Sequence, residues 1–83
     1  MVLSVAERQH PNVPDTIQNR FGQRIRKLRL ERGWTQEDMA HRFGMDRAYI
    51  SHLERGSKSV CLPTLEVLAR GFGMSVSRLL IGV

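Results

Sequence analysis

Cysteine is nearly absent from this 83-residue chain, and its scarcity excludes several kinds of site. Cys61 alone cannot form an intramolecular disulfide, and it leaves no multi-cysteine cluster for a structural zinc. The three histidines, His10, His41 and His52, are scattered without the spacing of metal ligands. We therefore expect neither a metal site nor a cofactor.

Long apolar runs and catalytic patterns are also missing. No stretch approaches the roughly 18 apolar residues of a membrane span, and residues 1–6 lack the basic start of a signal peptide. This predicts a cytoplasmic protein that does not enter a membrane. Because no Ser/His/Asp order, paired carboxylates or Gly-rich phosphate loop occurs, an enzyme is the weakest hypothesis. So short a chain has little room for a pocket, and we expect no small-molecule ligand.

What the chain does have is positive charge. Its 13 Lys and Arg against 8 Asp and Glu give a net charge of +5, which favours a polyanionic partner such as nucleic acid. In residues 20–32, Glu31 alone opposes six basic side chains: Arg20, Arg24, Arg26, Lys27, Arg29 and Arg32. These side chains could contact phosphates. The alternative is a solvated helix face, because side chains at several helical angles cannot all contact one DNA strand.

The first third of the chain divides into an arm and a helix. Residues 1–15 contain Pro11 and Pro14 and show no sustained periodicity, which predicts a flexible arm rather than a minor-groove contact. A helix is predicted from Asp15 or Thr16 to Gly33. Its apolar stripe should pack into the core: Ile17, Phe21, Ile25 and Leu28. The following Trp34 is predicted to be buried between helices.

Residues 34–56 predict two short helices joined by a tight turn. Thr35 and Asp38 have the spacing of a capping box, so the first helix should begin at Gln36. Gly44 suits its end, and Asp46 suits the N-cap of the second helix. This order is that of a helix-turn-helix, whose second helix enters the DNA major groove.

The second helix of this motif should present a polar face. Ile50 and Leu53 lie on one side, so the opposite side carries Ala48, Ser51, His52 and Arg55. Arg47, in the first turn, is the best candidate for a base contact, since arginine can donate two hydrogen bonds to guanine. The alternative is that it is solvated or touches a phosphate. In the loop that follows, Ser57 and Lys58 suit contacts with the DNA backbone.

The last part of the chain predicts two more helices. Pro63 suits the first turn of one, and Ser75 can cap the other. Gly71 inside the former should cost about 1 kcal/mol against alanine. The end of the chain carries more apolar surface than so small a domain can easily cover: Met74, Val76, Leu79, Leu80 and Ile81. A two-fold dimer would cover it, and the alternative is closure of the monomer core.

From Arg20 to Leu80 the chain resembles the Cro/C1-type (XRE) helix-turn-helix family of phage repressors and small bacterial regulators. The resemblance rests on these stretches: Arg26-Lys-Leu-Arg, Gly33-Trp-Thr-Gln-Glu-Asp-Met-Ala, Phe43-Gly-Met, Tyr49-Ile-Ser-His-Leu-Glu-Arg-Gly and Pro63-Thr-Leu-Glu-Val-Leu-Ala. It implies an all-α, compact five-helix lambda-repressor-like DNA-binding domain over residues 16–83. The run Asp46-Arg-Ala-Tyr-Ile-Ser followed by Glu54-Arg is similar to controller proteins of restriction-modification systems.

The resemblance also implies roles for single residues. Gln36 would bind a phosphate, and Tyr49 would lie near a phosphate or a central base step. The residues facing base edges would be Arg47, Ala48, Ser51 and His52. Glu54 would be structural and paired with Arg26 or Arg29. Ala48 departs from the Gln or Thr of many members and offers only a methyl contact to thymine. Gly71 stands where alanine is common.

Two functions from different classes follow. The favoured one is a dimeric, sequence-specific regulator of transcription that binds a palindromic operator in double-stranded DNA. Because the chain stops after the fifth helix, we expect autoregulation rather than control by a ligand. The alternative is an antitoxin or accessory module that binds a toxin or a polymerase through its C-terminal helix.

Overall fold

The computed structural model describes residues 15–83, which form five helices and no strand. In chain order these are α1 (Ile17–Glu31), α2 (Gln36–Phe43), α3 (Arg47–Glu54), α4 (Leu62–Phe72) and α5 (Val76–Leu79). The predicted all-α, five-helix architecture is confirmed for this part of the chain. The predicted arm lies outside the described residues, apart from Asp15.

Helix α1 is the longest helix and packs mainly against α3. The Thr16 hydroxyl accepts a hydrogen bond from the Asn19 amide at 3.0 Å, which caps the helix at the predicted place. Three residues of the predicted stripe are buried: Phe21, Ile25 and Leu28. Ile17 is 59% exposed, so its assignment to the core is wrong. It begins the helix and lies beside a groove rather than beneath another helix.

An aromatic cluster joins α2 and α4 to the end of α1. The Trp34 ring stacks on Phe72 at 5.9 Å between centroids and meets the edge of Phe43 at 6.0 Å. Trp34 lies between helices as predicted, but it is only half-buried. The Arg42 guanidinium lies 4.7 Å from the centroid of the Trp34 ring, so a cation–π contact covers part of the ring.

Two glycines inside helices mark close approaches. A Cβ on Gly22 would lie 2.4 Å from the Leu53 carbonyl oxygen, so glycine lets α1 approach α3. A Cβ on Gly71 would lie 2.3 Å from the ring of Phe43. Gly71 therefore costs helix propensity, as predicted, but it makes room for the aromatic ring of α2.

Helix α5 closes the core of a single chain. Leu79 is 0% exposed, and Met74, Val76 and Leu80 are half-buried against the core. The prediction that Leu79 forms a dimer contact is wrong, because its side chain fills the interior of the monomer. Ile81 is 59% exposed and remains on the surface.

Candidate nucleic-acid interface

Local hydrogen bonds set the start and the end of α2. The Thr35 hydroxyl accepts from the Asp38 amide, and the Asp38 carboxylate accepts from the Thr35 amide, each at 2.9 Å. This is the predicted capping box, and hydrogen bonding from the Thr35 amide first, and from its hydroxyl second, lowers the pKa of the Asp38 carboxyl by stabilising the charged form. Gly44, at φ +67°, ends α2 in the left-handed conformation and lets the chain turn into α3.

Buried side chains fix which face α3 presents to solvent. Ile50 and Leu53 are 0% exposed and anchor the helix on the core. Asp46 occupies the N-cap position as predicted, although its side chain makes no capping hydrogen bond. The opposite side brings together the four predicted base-contact residues, two exposed and two half-buried: Arg47, Ala48, Ser51 and His52.

Arg55, which ends α3, folds back along this face. Its guanidinium donates to the Ser51 hydroxyl oxygen and, at 2.9 Å, to His52 Nδ1. The Ser57 hydroxyl lies 3.4 Å from the same ring nitrogen and donates to the His52 carbonyl at 3.0 Å. We name these four residues the Arg55 cluster. The three- and four-residue spacings within α3 are visible in the sequence and could have predicted it.

Gln36 belongs to a buried network behind the face. Its Nε2 donates to Glu54 Oε1 at 3.1 Å. Two Arg29–Glu54 hydrogen bonds, of 2.6 and 3.0 Å, form a bidentate ion pair, and Arg29 also donates to the Trp34 carbonyl at 2.8 Å. Of the two predicted partners of Glu54, the structure selects Arg29 rather than Arg26. The network joins α1, α2 and α3, and a second hydrogen on Gln36 Nε2 remains available to a phosphate.

The basic stretch is largely engaged inside the domain. Arg20 Nε donates to the Val83 carbonyl at 2.8 Å. Arg24 donates to the carbonyls of Leu79 and Arg78 at 3.0 and 2.8 Å. These arginines therefore hold carbonyls at the end of α5 and at the last residue of the chain.

Arg32 does the same for α4. It donates to the carbonyls of Leu28 and Phe72 at 3.1 and 2.8 Å, and its guanidinium lies 4.9 Å from the centroid of the Phe72 ring. The sequence left two interpretations open, phosphate contact and a solvated face. Four arginines instead bond within the domain: Arg20, Arg24, Arg29 and Arg32. Only the exposed Arg26 and Lys27 fit a solvated face.

The loop after α3 is held against α1. Gly56 has φ +79°, and a Cβ there would lie 2.7 Å from the Asn19 Cα, so the approach requires glycine. Ser57 and Lys58 are exposed beyond it. Tyr49 is half-buried, and burial raises the pKa of its phenol.

An apolar groove lies away from α3, between the start of α1, α4 and the end of the chain. It has a volume of about 220 Å³ and is lined mainly by Ile17, Phe21, Val60, Leu65, Leu80 and Val83. A neighbouring depression shares Leu65 and adds Leu62, Pro63 and Val76, so the apolar surface is continuous.

Other site types are not found in the described part of the chain. Within residues 15–83, no three His, Cys, Asp or Glu side chains are placed to hold a metal ion. None of the helices in this range combines the length and the apolar character needed to cross a membrane.

A helix-turn-helix DNA-binding protein is the class that this fold and the exposed face of α3 define. Residues 20–80 match a family model described as a helix-turn-helix domain. The control protein C.MunI from Mycoplasma sp is 39% identical over 64 residues, which cover 76% of this chain and 86% of that protein.

Solved structures agree. The restriction-modification controller protein C.Esp1396I, as a tetramer with its natural 35 base-pair operator, is 35% identical with a TM-score of 0.70, over 82% of this chain and 93% of that one. The clp gene regulator ClgR from C. glutamicum is 29% identical with a TM-score of 0.76, over 87% and 91%. The chain therefore belongs to the helix-turn-helix family, as a DNA-binding regulator of transcription.

Proposed function

We propose that this protein binds a palindromic operator in double-stranded DNA as a homodimer and places α3 of each copy in the major groove. One observation carries the proposal: buried Ile50 and Leu53 turn α3 so that a mixed polar face is exposed beside the α2–α3 turn. The role is binding rather than catalysis, and the proposed site of action is the cytoplasm, where bacterial DNA lies.

Base contacts are assigned to the face of α3. Arg47 is exposed at the first position of the helix, the part that reaches furthest into the groove in such motifs. It can donate to O6 and N7 of guanine, which discriminates against other bases by about 1–3 kcal/mol. The Ala48 methyl can contact the methyl of a thymine, and Ser51 and His52 lie further along the same face.

Phosphate contacts are assigned around this face. Gln36 lies at the N-terminus of α2, where the helix dipole also favours an anion. The exposed Lys58 supplies a flexible positive charge beyond α3. Three further residues border the same surface: Tyr49, Arg55 and Ser57.

The dimer contact is assigned to the apolar groove and its neighbour. Leu62 and Ile81 are 77% and 59% exposed, and Ile17 is 59% exposed. Leu80 lines the groove, Val76 lines its neighbour, and both retain partial exposure, as does Met74, whereas Leu79 does not. A two-fold contact would bury this surface and set two α3 helices about one DNA turn apart.

Regulation of a restriction-modification system is the proposed biological setting. C.MunI is named as a control protein, and C.Esp1396I as a restriction-modification controller. In that setting the protein would occupy an operator near its own gene. Placing a DNA fragment from upstream of the gene before a reporter tests this: added protein should change expression, and no change would remove the autoregulatory part of the proposal.

The main test is selection of bound duplexes from a random library at physiological salt with the full-length chain. We expect an inverted repeat with half-sites about 10–11 base pairs apart. Binding that enriches no sequence and fades steeply with salt would contradict specific recognition.

A protein partner is the second candidate, favoured only by the exposed apolar groove. Sedimentation of the wild type, Leu62→Glu and Val67→Glu separates the two. We expect the wild type and Val67→Glu to be dimers and Leu62→Glu to be a monomer. The reason is that Leu62 borders the groove, while Val67 is exposed outside it. A monomeric wild type would instead favour a toxin or polymerase partner for this surface.

A further inference from the structure

The Arg55 cluster fixes which hydrogen-bonding group His52 can offer to DNA. A guanidinium has five N–H donors and no acceptor. Because Arg55 Nη2 lies 2.9 Å from His52 Nδ1, that nitrogen must accept the hydrogen bond. The neutral ring then carries its proton on Nε2. What His52 has left for a base is a donor.

Ser51 is less restricted than His52. Its hydroxyl oxygen accepts from Arg55 Nη1. A serine hydroxyl has two lone pairs and one proton, so Ser51 can still accept or donate at a base edge.

Two polar side chains on the exposed face of α3 are thus donors only. Arg47 can only donate, and the contact with Arg55 holds His52 as a donor. In the major groove, guanine O6 and N7, adenine N7 and thymine O4 accept, whereas cytosine presents only its amino group, which donates. A donor placed against an amino group leaves both groups unpaired, which is costly in a desolvated interface.

We infer that His52 selects a base with an acceptor, guanine, adenine or thymine, over cytosine at its position in each half-site, and that Arg55 is the positioning residue that imposes this choice. The inference rests on the proposed function, since it concerns the base preference of the same surface. Arg55 acts here through His52, in addition to any contact with a phosphate.

Selection from a random library tests the inference in two steps. His52→Ala first locates the base pair at which this side chain matters, as the position where the wild-type preference disappears. At that position the wild type should prefer the other three bases over cytosine on the contacted strand by about tenfold, the lower part of the range for a specific base contact. A preference for cytosine there, or no change with His52→Ala, would overturn the inference while leaving the regulator intact.

Three further variants test the role of Arg55. Arg55→Ala should reduce the discrimination against cytosine at this position, and His52→Gln should admit cytosine, because the glutamine carbonyl oxygen can accept from its amino group. Lys58→Ala, the matched loss of one nearby exposed charge, should weaken binding without changing the preference. An unchanged base preference in Arg55→Ala, with its helical content intact, would contradict the positioning role. A wild-type library without any enriched sequence would overturn the proposed function as well.

Discussion

Residues 20–32 hold the densest positive charge in the chain, whereas α3 carries far less, yet the two regions use their arginines in opposite ways. In the first region, Arg20, Arg24 and Arg32 donate to backbone carbonyls, and Arg29 pairs with buried Glu54. Arg47 on α3 is exposed at the edge of the candidate interface. Charge density along a sequence therefore does not show which arginines are free to contact DNA.

The difference has a physical cause. A guanidinium that is engaged with protein carbonyls has fewer N–H groups left for a phosphate, and its bonds to the protein fix its position. The basic stretch still contributes to the net charge that attracts DNA from a distance. Its short-range bonds, however, stabilise the fold. Substitutions in the two regions should separate stability from DNA binding.

Glu54→Ala should have the largest effect, on stability. It leaves Arg29, whose side chain is 7% exposed, as a buried charge without its partner, and we expect a loss of about 3–5 kcal/mol in the free energy of unfolding. Urea denaturation of the two proteins measures it.

Glu66→Ala is the control for that change. Glu66 faces Arg70 at 3.6 Å, with side chains 63% and 80% exposed, so its loss should stay within about 0.5 kcal/mol. Similar losses of unfolding free energy in the two variants would show that burial does not make the Arg29–Glu54 pair more important for stability than an exposed pair.

Arg32→Ala should lower stability by about 1.5–3 kcal/mol, because it removes a charged hydrogen bond to the Phe72 carbonyl. Arg26→Ala, at an exposed position of the same stretch, should change stability by no more than about 0.5 kcal/mol. Under conditions in which Arg32→Ala is folded, the salt dependence of its DNA binding should match that of the wild type. If the slope of log affinity against log salt concentration is instead lower by about one unit, Arg32 contacts a phosphate.

Arg47→Ala should leave stability unchanged and reduce specific binding by about 1–3 kcal/mol, with a relaxed preference at one base pair. Titration of the selected operator and of random DNA measures the two affinities. Equal losses on both would mean that Arg47 touches the backbone only.

Lys58→Ala should have the smallest effect. We expect a uniform weakening on all DNA sequences and a salt slope reduced by about one unit, because Lys58 is an exposed point charge beyond α3. An effect restricted to the operator would make it a base contact.

Features set by neighbours along the chain were predictable from the sequence. The Thr35–Asp38 capping box, the end of α2 at Gly44 and the burial of Ile50 and Leu53 depend on spacings of a few residues. The outward face of α3 follows from the same periodicity.

Features set by distant packing were not. The contact of Arg20 with Val83 and that of Arg24 with Leu79 span 63 and 55 residues of sequence. The predictions for Leu79 and Ile17 were wrong because periodicity shows which side of a helix is apolar. It does not show whether other parts of the same chain pack on that side. For Gly71, helix propensity indicates a cost, and only the Phe43 ring beside it shows why the glycine fits.

The most direct test of the contrast between the two regions is NMR of the arginine Nε–H signals during titration with operator DNA. The account predicts that Arg47 and Arg55 shift while the engaged arginines of residues 20–32 keep their positions. Large shifts in those signals together with an unmoved Arg47 would contradict it, and would move the DNA contact from α3 to the basic stretch.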